Sequence, residues 1–272
     1  MTILVFFGTA RGNFTLMADA FVNGALQGTA PEGKIVCPTI LLDATMQHMM
    51  FQLPQPALSV RGSDVLFPVR RIYCVGRNFA AHAREMGHDS ALEPPFFFSK
   101  PADALVVAPG EVVYPPATGD LHHEVELVVA LAAGGLNLDA AQARACIYGY
   151  GVGLDLTRRD LQRAARDRGQ PWDMGKGFDQ SAPVSELVPA SVCGHPRSGR
   201  IALSVNGQLR QEGDLADMIL DVDALIQRLS VLVELRAGDL LFTGTPAGVA
   251  ALQPGDRVCA SVAGVTALEV CI

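Results

Sequence analysis

The 272-residue chain has no Cys-x-x-Cys pair, and its six cysteines, Cys37, Cys74, Cys146, Cys193, Cys259 and Cys271, are widely scattered. That spacing argues against a zinc site or a disulfide framework. It leaves the cysteines as small buried hydrophobes of a chain expected in the reducing cytoplasm. The chain also lacks a cluster of Lys and Arg. With 21 basic against 28 acidic residues the net charge is −7, and without a basic patch there is no footprint for a phosphate backbone, so no nucleic-acid partner is expected. Apolar runs such as "ILVFF" and "LVVALAA" fall far short of the roughly 20 residues of a membrane-spanning helix. No membrane partner is expected. The N-terminus lacks the cationic region that precedes the apolar stretch of a signal peptide, and the sequence carries no internal repeat and no low-complexity linker.

At 49% hydrophobic, a chain of this length can bury a sizeable core. Its texture changes near residue 50. Residues 1–49 mix short apolar patches with a turn-rich stretch, "NGALQGTAPEGK", and read as an N-terminal extension of unknown role; residues 50–272 read as the functional unit. There "FPVRRIYCVG" (67–76) reads as a buried strand closed by glycine, followed by a short helix in "NFAAHAREMG" with Asn78 as its N-cap and Gly87 as its C-terminal cap. Further strands are expected in "EVELVVAL", "IYGYGVGLDL", "RIALSVNGQL", "GDLLFTGTP", "DRVCASVAG" and "TALEVCI". Helices are expected in "LDAAQARACI", "TRRDLQRAARDRG" and "DVDALIQRLSVLV". The fold class is therefore α+β and strand-dominated. The turns "VNGQ", "AGDL" and "PGDR" favour antiparallel pairing over a doubly wound sheet.

Two carboxylates stand out in "GDLHHEVELVVALAAGG". Strand alternation puts His122, Glu124 and Glu126 on one face and Val125, Leu127 and Val129 on the other. Adjacent same-face residues lie about 6.7 Å apart, close enough for both carboxylates to meet one ion; a solvated strand face is the plain alternative. A third acid, Asp155, ends the glycine-bearing strand "YGYGVGLDL" directly before a helix. Three carboxylates without cysteine form a hard oxygen site for Mg²⁺ or Mn²⁺, with Ca²⁺ also compatible. The competing reading makes Asp155 the N-cap of the next helix. His82 and Glu85, three apart on a helix, share a face, so Glu85 can orient the imidazole and leave its other nitrogen to take a proton from water. A surface His/Glu pair is the alternative.

"YCVGRNFAAHAREMG", "PPFFFSKPADALV", "YPPATGDLHHEVELVVAL", "YGYGVGLDLTRRDLQ", "PWDMGKGFDQSAPV" and "LLFTGTPAGV" follow the order and near spacing of the motifs of the fumarylacetoacetate hydrolase family, which the chain resembles from about residue 60 onward. Within the family, "PPFFF" and "LTRRDLQ" look most like the bacterial fumarylpyruvate hydrolases. The resemblance implies a mixed β-sandwich or roll with flanking helices, assembled as a homodimer, with residues 50–272 as the catalytic domain. It implies that His82 and Glu85 form the water-activating dyad, that Glu124, Glu126 and Asp155 bind the divalent cation, that Lys176 is catalytic, and that Arg159, Gln162 and Thr245 contact substrate. Alternatives stay open for some of these: a helix-surface ion pair with Asp160 for Arg159, a solvated charge for Lys176, and a self-bonded turn hydroxyl for Thr245. Phe79 stands where many members have tyrosine. The implied substrate is a small 2,4-dioxo acid, with fumarylpyruvate going to fumarate and pyruvate. An oxaloacetate decarboxylase of the same family is the second implied activity, and a non-catalytic metal-binding homologue the third.

Overall fold

In this computed structural model, residues 50–85 and 95–272 are described, and Pro54–Ile272 form one compact unit. The proposed extension of residues 1–49, with Cys37, and the proposed cap Gly87 lie outside the described residues. The larger sheet has the order β4-β3-β15-β8-β9-β11-β5, with β12 also pairing β9. Its strands are β3 (Arg71–Gly76), β4 (Phe96–Lys100), β5 (Leu105–Val107), β8 (Val125–Leu131), β9 (Ile147–Leu154), β11 (Ala182–Val184), β12 (Val188–Pro189) and β15 (Asp239–Phe242). A second sheet of five strands has the order β14-β13-β16-β17-β6, from β6 (Gly110–Glu111), β13 (Arg200–Val205), β14 (Gln208–Asp214), β16 (Arg257–Val262) and β17 (Thr266–Cys271). Two small ribbons complete the strands: β1 (Ala57–Val60) with β2 (Ser63–Pro68), and β7 (Leu121–His122) with β10 (Thr157–Arg158). The chain is strand-dominated α+β, as the alternation patterns predict.

Antiparallel pairing prevails among the described residues, where three strand pairs are parallel: β3 with β15, β5 with β11, and β6 with β17. The turn signals explain part of this. "VNGQ" is a true hairpin turn, Asn206 and Gly207 both taking positive φ between β13 and β14, as a two-residue turn of the primed type requires. "AGDL" joins no hairpin. It delivers the chain from a helix into β15, which runs parallel to β3.

Every residue of β8 is buried, because both faces of the larger sheet are covered. Val125, Leu127, Val129 and Leu131 belong to the core shared with β13, β16 and β17, whereas Val128 and Ala130 belong to a second cluster with Leu58, Phe67, Ile72 and Phe242. Strand parity sorts the two sets. Helices α2 (Ala140–Ala145) and α6 (Val222–Leu232) flank the first core. Asp139 starts α2 with a reciprocal capping box to Gln142, and the Asp221 carboxylate accepts from Ala224 N–H to start α6, each satisfying otherwise orphaned N–H groups. Among the described residues no helix is long and apolar enough to cross a membrane. Cys74, Cys146, Cys193, Cys259 and Cys271 are free thiols.

The glycines of β9 have a steric reason. Gly149, Gly151 and Gly153 alternate with the core residues Tyr150, Val152 and Leu154, so they share the opposite face. A Cβ at Gly149 would stand 2.3 Å from the Val188 carbonyl oxygen, which is fixed backbone of the paired strand. Gly149→Ala is therefore expected to destabilise the fold by about 1–3 kcal/mol, a fall in Tm of several degrees. Thermal denaturation followed by circular dichroism checks this, and an unchanged Tm would show that β12 yields freely.

Candidate functional site

The ladder between β8 and β9 builds the acidic cluster. The strands run antiparallel with Val125 opposite Leu154 and Glu126 opposite Gly153. One step beyond, Asp155 N–H donates to the Glu124 carbonyl at 2.9 Å, so Asp155 stands across from Glu124. Glu124 and Glu126 share parity along one strand, Asp155 joins them from its neighbour, and at Gly153 the missing side chain makes room for the Phe242 ring and a Val128 methyl, each 2.6 Å from where a Cβ would stand. The three carboxylates are buried and offer oxygens within 4.8 Å of one another. The solvated-face reading is thereby removed. Glu124 itself lies just ahead of β8, the strand being interrupted at His123 and Glu124.

Three buried cations face this cluster. Lys176, at the end of the short helix α4 (Asp173–Lys176), donates to Glu124 Oε2 at 2.9 Å and to Asp155 Oδ2 at 2.6 Å. Arg159, which opens helix α3 (Arg159–Asp167), pairs with Glu124 Oε1 and donates to Gln162 Oε1 at 2.6 Å. Lys100, the last residue of β4, lies 2.8 Å from Asp155 Oδ1 and donates to the carbonyls of Leu156, at 3.0 Å, and of Lys176. Arg159 does not pair with Asp160, whose carboxylate instead accepts from Thr118 and Gly119. Nor is Lys176 a solvated loop charge, being buried with its ammonium 5.0 Å from the centroid of the Phe98 ring. Asp155 does not cap α3, whose N-cap is Arg158 with no side-chain cap bond.

The balance of charge sets the protonation of each group. Burial alone would raise the Glu124 carboxyl, but Lys176 and Arg159 outweigh it and hold it far below the carboxylate range. Glu126 goes the other way: burial, then the charges of Asp155 and Glu124, push it well up, opposed by the Gly244 N–H. Burial would also lower Lys176, yet Asp155 and Glu124 raise it. Asp155 Oδ1, though close to Lys100, has no hydrogen-bonded partner. The cations answer Glu124 and Asp155 and leave Glu126 facing like charges, and with one buried Asp155 oxygen unsatisfied the oxygen donors suit a hard divalent cation. The residues present fit such an ion.

Helix α1 (Ala80–Glu85) brings the dyad to the rim. His82 is buried and lines the same cavity as the carboxylates, while Glu85 is part-exposed behind it, its Oε2 3.4 Å from His82 Nδ1. Gly248 N–H donates to both Glu85 oxygens, at 3.2 and 3.1 Å. Burial lowers the His82 pKa below its ordinary 6.5, against the pull of Glu124 and of the Glu85 bond, so the imidazole is neutral at pH 7. The pair is therefore no surface ion pair. Asn78 does not cap α1. Its amide donates to the Leu220 and Thr243 carbonyls at 3.0 and 2.8 Å and its oxygen accepts from Leu220 N–H at 2.8 Å, pinning the loop ahead of α1 to the end of β15.

The same loop shapes the Glu126 contact. Gly244 N–H reaches Glu126 Oε2 at 2.7 Å from a backbone with φ +95°, and a Cβ there would stand 2.7 Å from Asn78 Cβ. Only glycine combines that conformation with that closeness. Thr245, next in "TGTP", also lines the cavity and does not bond its own backbone. Its hydroxyl accepts from Gln211 Nε2 at 2.8 Å. Gln211 is oriented beyond doubt, since its Oε1 accepts from Val125 N–H at 3.1 Å and its Nε2 also donates to the Pro246 carbonyl at 2.9 Å. The hydroxyl proton of Thr245 is thus free for the cavity. Gln162 lines the cavity too.

Sequence reasoning missed Lys100 and Gln211. Lys100 carries a signal, a lysine closing an aromatic strand directly before proline, where no solvated loop is expected. Gln211 has none, because β14 is polar apart from Leu209 and Gly213, and its one fully buried position is this polar residue.

The family described as fumarylacetoacetate (FAA) hydrolase C-terminal matches residues 71–272. In structure the chain is similar to the fumarylpyruvate hydrolase of Pseudomonas aeruginosa, solved in complex with Mn²⁺ and pyruvate: TM-score 0.81, 50% identity, 82% of this chain and 98% of that one covered. In sequence it is 41% identical over 184 residues to the fumarylpyruvate hydrolase of a Ralstonia species, covering 68% of this chain and 95% of the relative. It is also 42% identical over 205 residues to the oxaloacetate tautomerase YcgM of Escherichia coli, covering 75% and 93%. With three-quarters of its length matched and its buried carboxylates meeting across one strand pair, the chain belongs to the fumarylacetoacetate hydrolase family.

Proposed function

We propose that the protein is a divalent-metal-dependent hydrolase of 2,4-dioxo acids, converting fumarylpyruvate to fumarate and pyruvate. The observation that carries this reading is His82, a buried neutral imidazole backed by Glu85 in the same cavity as the three-carboxylate cluster. A decarboxylase has no need of an activated water, and a tautomerase needs a base but not the water held beside it. The likeness to the Pseudomonas enzyme with Mn²⁺ and pyruvate supports the same choice.

Glu124, Glu126 and Asp155 would hold Mg²⁺ or Mn²⁺, which supplies Lewis-acid stabilisation to the enolate charge of the departing pyruvate. The chain's own groups do the rest. With Nδ1–H donating to Glu85, His82 Nε2 takes a proton from water, whose oxygen bonds to the 4-keto carbon. The bond between carbons 3 and 4 then breaks, its electron pair stays with the pyruvate fragment, and the proton on His82 passes to carbon 3. Fumarate leaves with the water oxygen in its new carboxyl group, whose remaining proton passes to solvent. Lys176 offsets the developing oxyanion, and Arg159, Gln162 and Thr245 orient the substrate. Residues 50–272 form the catalytic unit, assembled as a homodimer, and a chain starting at Met50 is expected to keep its turnover and its dimer mass by light scattering; aggregation or a monomer would make residues 1–49 structural.

With Mg²⁺ or Mn²⁺, the dioxo-enol absorbance of fumarylpyruvate is expected to decay at a greater kcat/KM than oxaloacetate is consumed or tautomerised. The reverse order would make this an oxaloacetate enzyme. His82→Ala is expected to lower kcat on fumarylpyruvate by about 10² to 10⁴-fold with metal affinity nearly unchanged, and an unaltered kcat would assign the base elsewhere. Because the reactive form is neutral and its pKa is lowered, activity should persist below pH 6.5 and fail only as the pH drops through the His82 value. An acid limb above pH 7 would contradict that assignment.

A further inference from the structure

The cavity is not uniform along its length. Its floor holds the carboxylates, while its outer part is lined by Arg163 and Arg166 on α3, by Arg77, and by the aromatic pair Phe96 and Trp172. Arg159, Arg163 and Arg166 fall at i, i+4 and i+7, which is one face of a helix. Since α3 is regular from Arg159 to Asp167, the backbone from Arg159 to Arg166 advances about 10.5 Å, making a cationic rail from floor to mouth. Phe96 and Trp172 stack edge to face at 5.2 Å, and the Arg77 guanidinium lies 5.4 Å from the Phe96 centroid.

Both rail arginines are themselves exposed, and among the described residues their partners are the exposed Asp167 and the half-buried Asp120. Arg166 bonds to its neighbour Asp167 at 3.0 Å, and Arg163 lies 3.8 Å from Asp120, with side-chain exposures of 40% and 57% respectively. Exposed pairs of this kind contribute little, so either guanidinium can exchange its partner for a ligand carboxylate, which it grips with two parallel N–H donors.

We propose that Arg163 and Arg166 form a specificity subsite for a carboxylate at the far end of the acyl group, with Phe96 and Trp172 as the wall against which a flat conjugated chain lies. This rests on the reading of the floor as the acylpyruvate site and extends it from the reacting end to the distal end. The dimensions agree. A seven-carbon 2,4-dioxo-5-enedioic acid spans six C–C bonds, about 7.5 Å between its terminal carbons when extended, within the reach of the rail plus its side chains. Oxaloacetate, half as long, leaves the outer arginines untouched.

The test compares fumarylpyruvate with the analogue that has a methyl group in place of its distal carboxylate, using the full chain and the variants Arg163→Gln, Arg166→Gln and the double variant. In the wild type kcat/KM is expected to favour the dicarboxylate, and the double variant to lose about 10- to 100-fold of that preference, chiefly through KM. Equal losses on both substrates, or no loss, would overturn the subsite. Calorimetric titration of the metal-loaded protein with fumarate and with crotonate gives a readout apart from turnover. Tighter fumarate binding that disappears in the double variant supports the subsite even if no acylpyruvate is hydrolysed, a result that would sink the proposed function alone. Equal binding of the two acids by the wild type, alongside active hydrolysis, would sink the subsite alone.

Discussion

The mutual repulsion of three buried carboxylates is the constraint around which this molecule is arranged. Glu124, Glu126 and Asp155 meet with almost no solvent to screen them, and isolated buried charges are too costly to survive unpaired. Lys100, Arg159 and Lys176 answer them from β4, α3 and α4. Each of those elements is held in place by that contact as well as by its own packing. Positive and negative side chains are equal in number there, so a divalent cation gives the floor a net positive charge. That excess matches an anionic dioxo acid.

The division of labour proposed along the cavity would account for relatives named for hydrolysis of fumarylpyruvate and for tautomerisation of oxaloacetate being about equally similar to this chain. Both substrates carry a 2-oxo acid that can pass through an enolate, so the carboxylate floor serves either. In the proposed reading the His82–Glu85 dyad at the rim adds a base for water, and the outer arginines add length and charge selection. The dyad itself depends on distant backbone, since Gly248 N–H fixes Glu85 and the Asn78 amide fixes the loop into α1.

Much of the site was legible because strand parity and register obey simple rules. Glu-x-Glu on an apolar strand had to place both acids on one face, and an acid ending the next strand had to lie near them once the two strands paired. The local alternatives failed where burial decided the matter. Arg159 and Lys176 could not be told from surface cations in the sequence, because what distinguishes them is the covering by Phe98 and the neighbouring helices. The Asn78 cap was misread for the same reason: an asparagine ahead of a helix satisfies capping rules, yet Thr243 and Leu220, far along the chain, compete for its amide and win. Gln211 was invisible because its strand, β14, is polar apart from Leu209 and Gly213, so no alternation marks it as buried. The parallel pairing of β3 with β15 was equally hidden, since most of the fold lies between the two strands in sequence and no local turn announces it.

The claim on which the rest stands is that the three carboxylates bind one divalent ion. Titration of the metal-free protein with Mn²⁺, followed by loss of the free-ion electron paramagnetic resonance signal, measures it most directly. The account predicts saturable binding of one ion per chain, weakened at least about 10-fold in Glu126→Gln at an unchanged fold by circular dichroism. Absent binding by the wild type, or equal affinity in the variant, would contradict it.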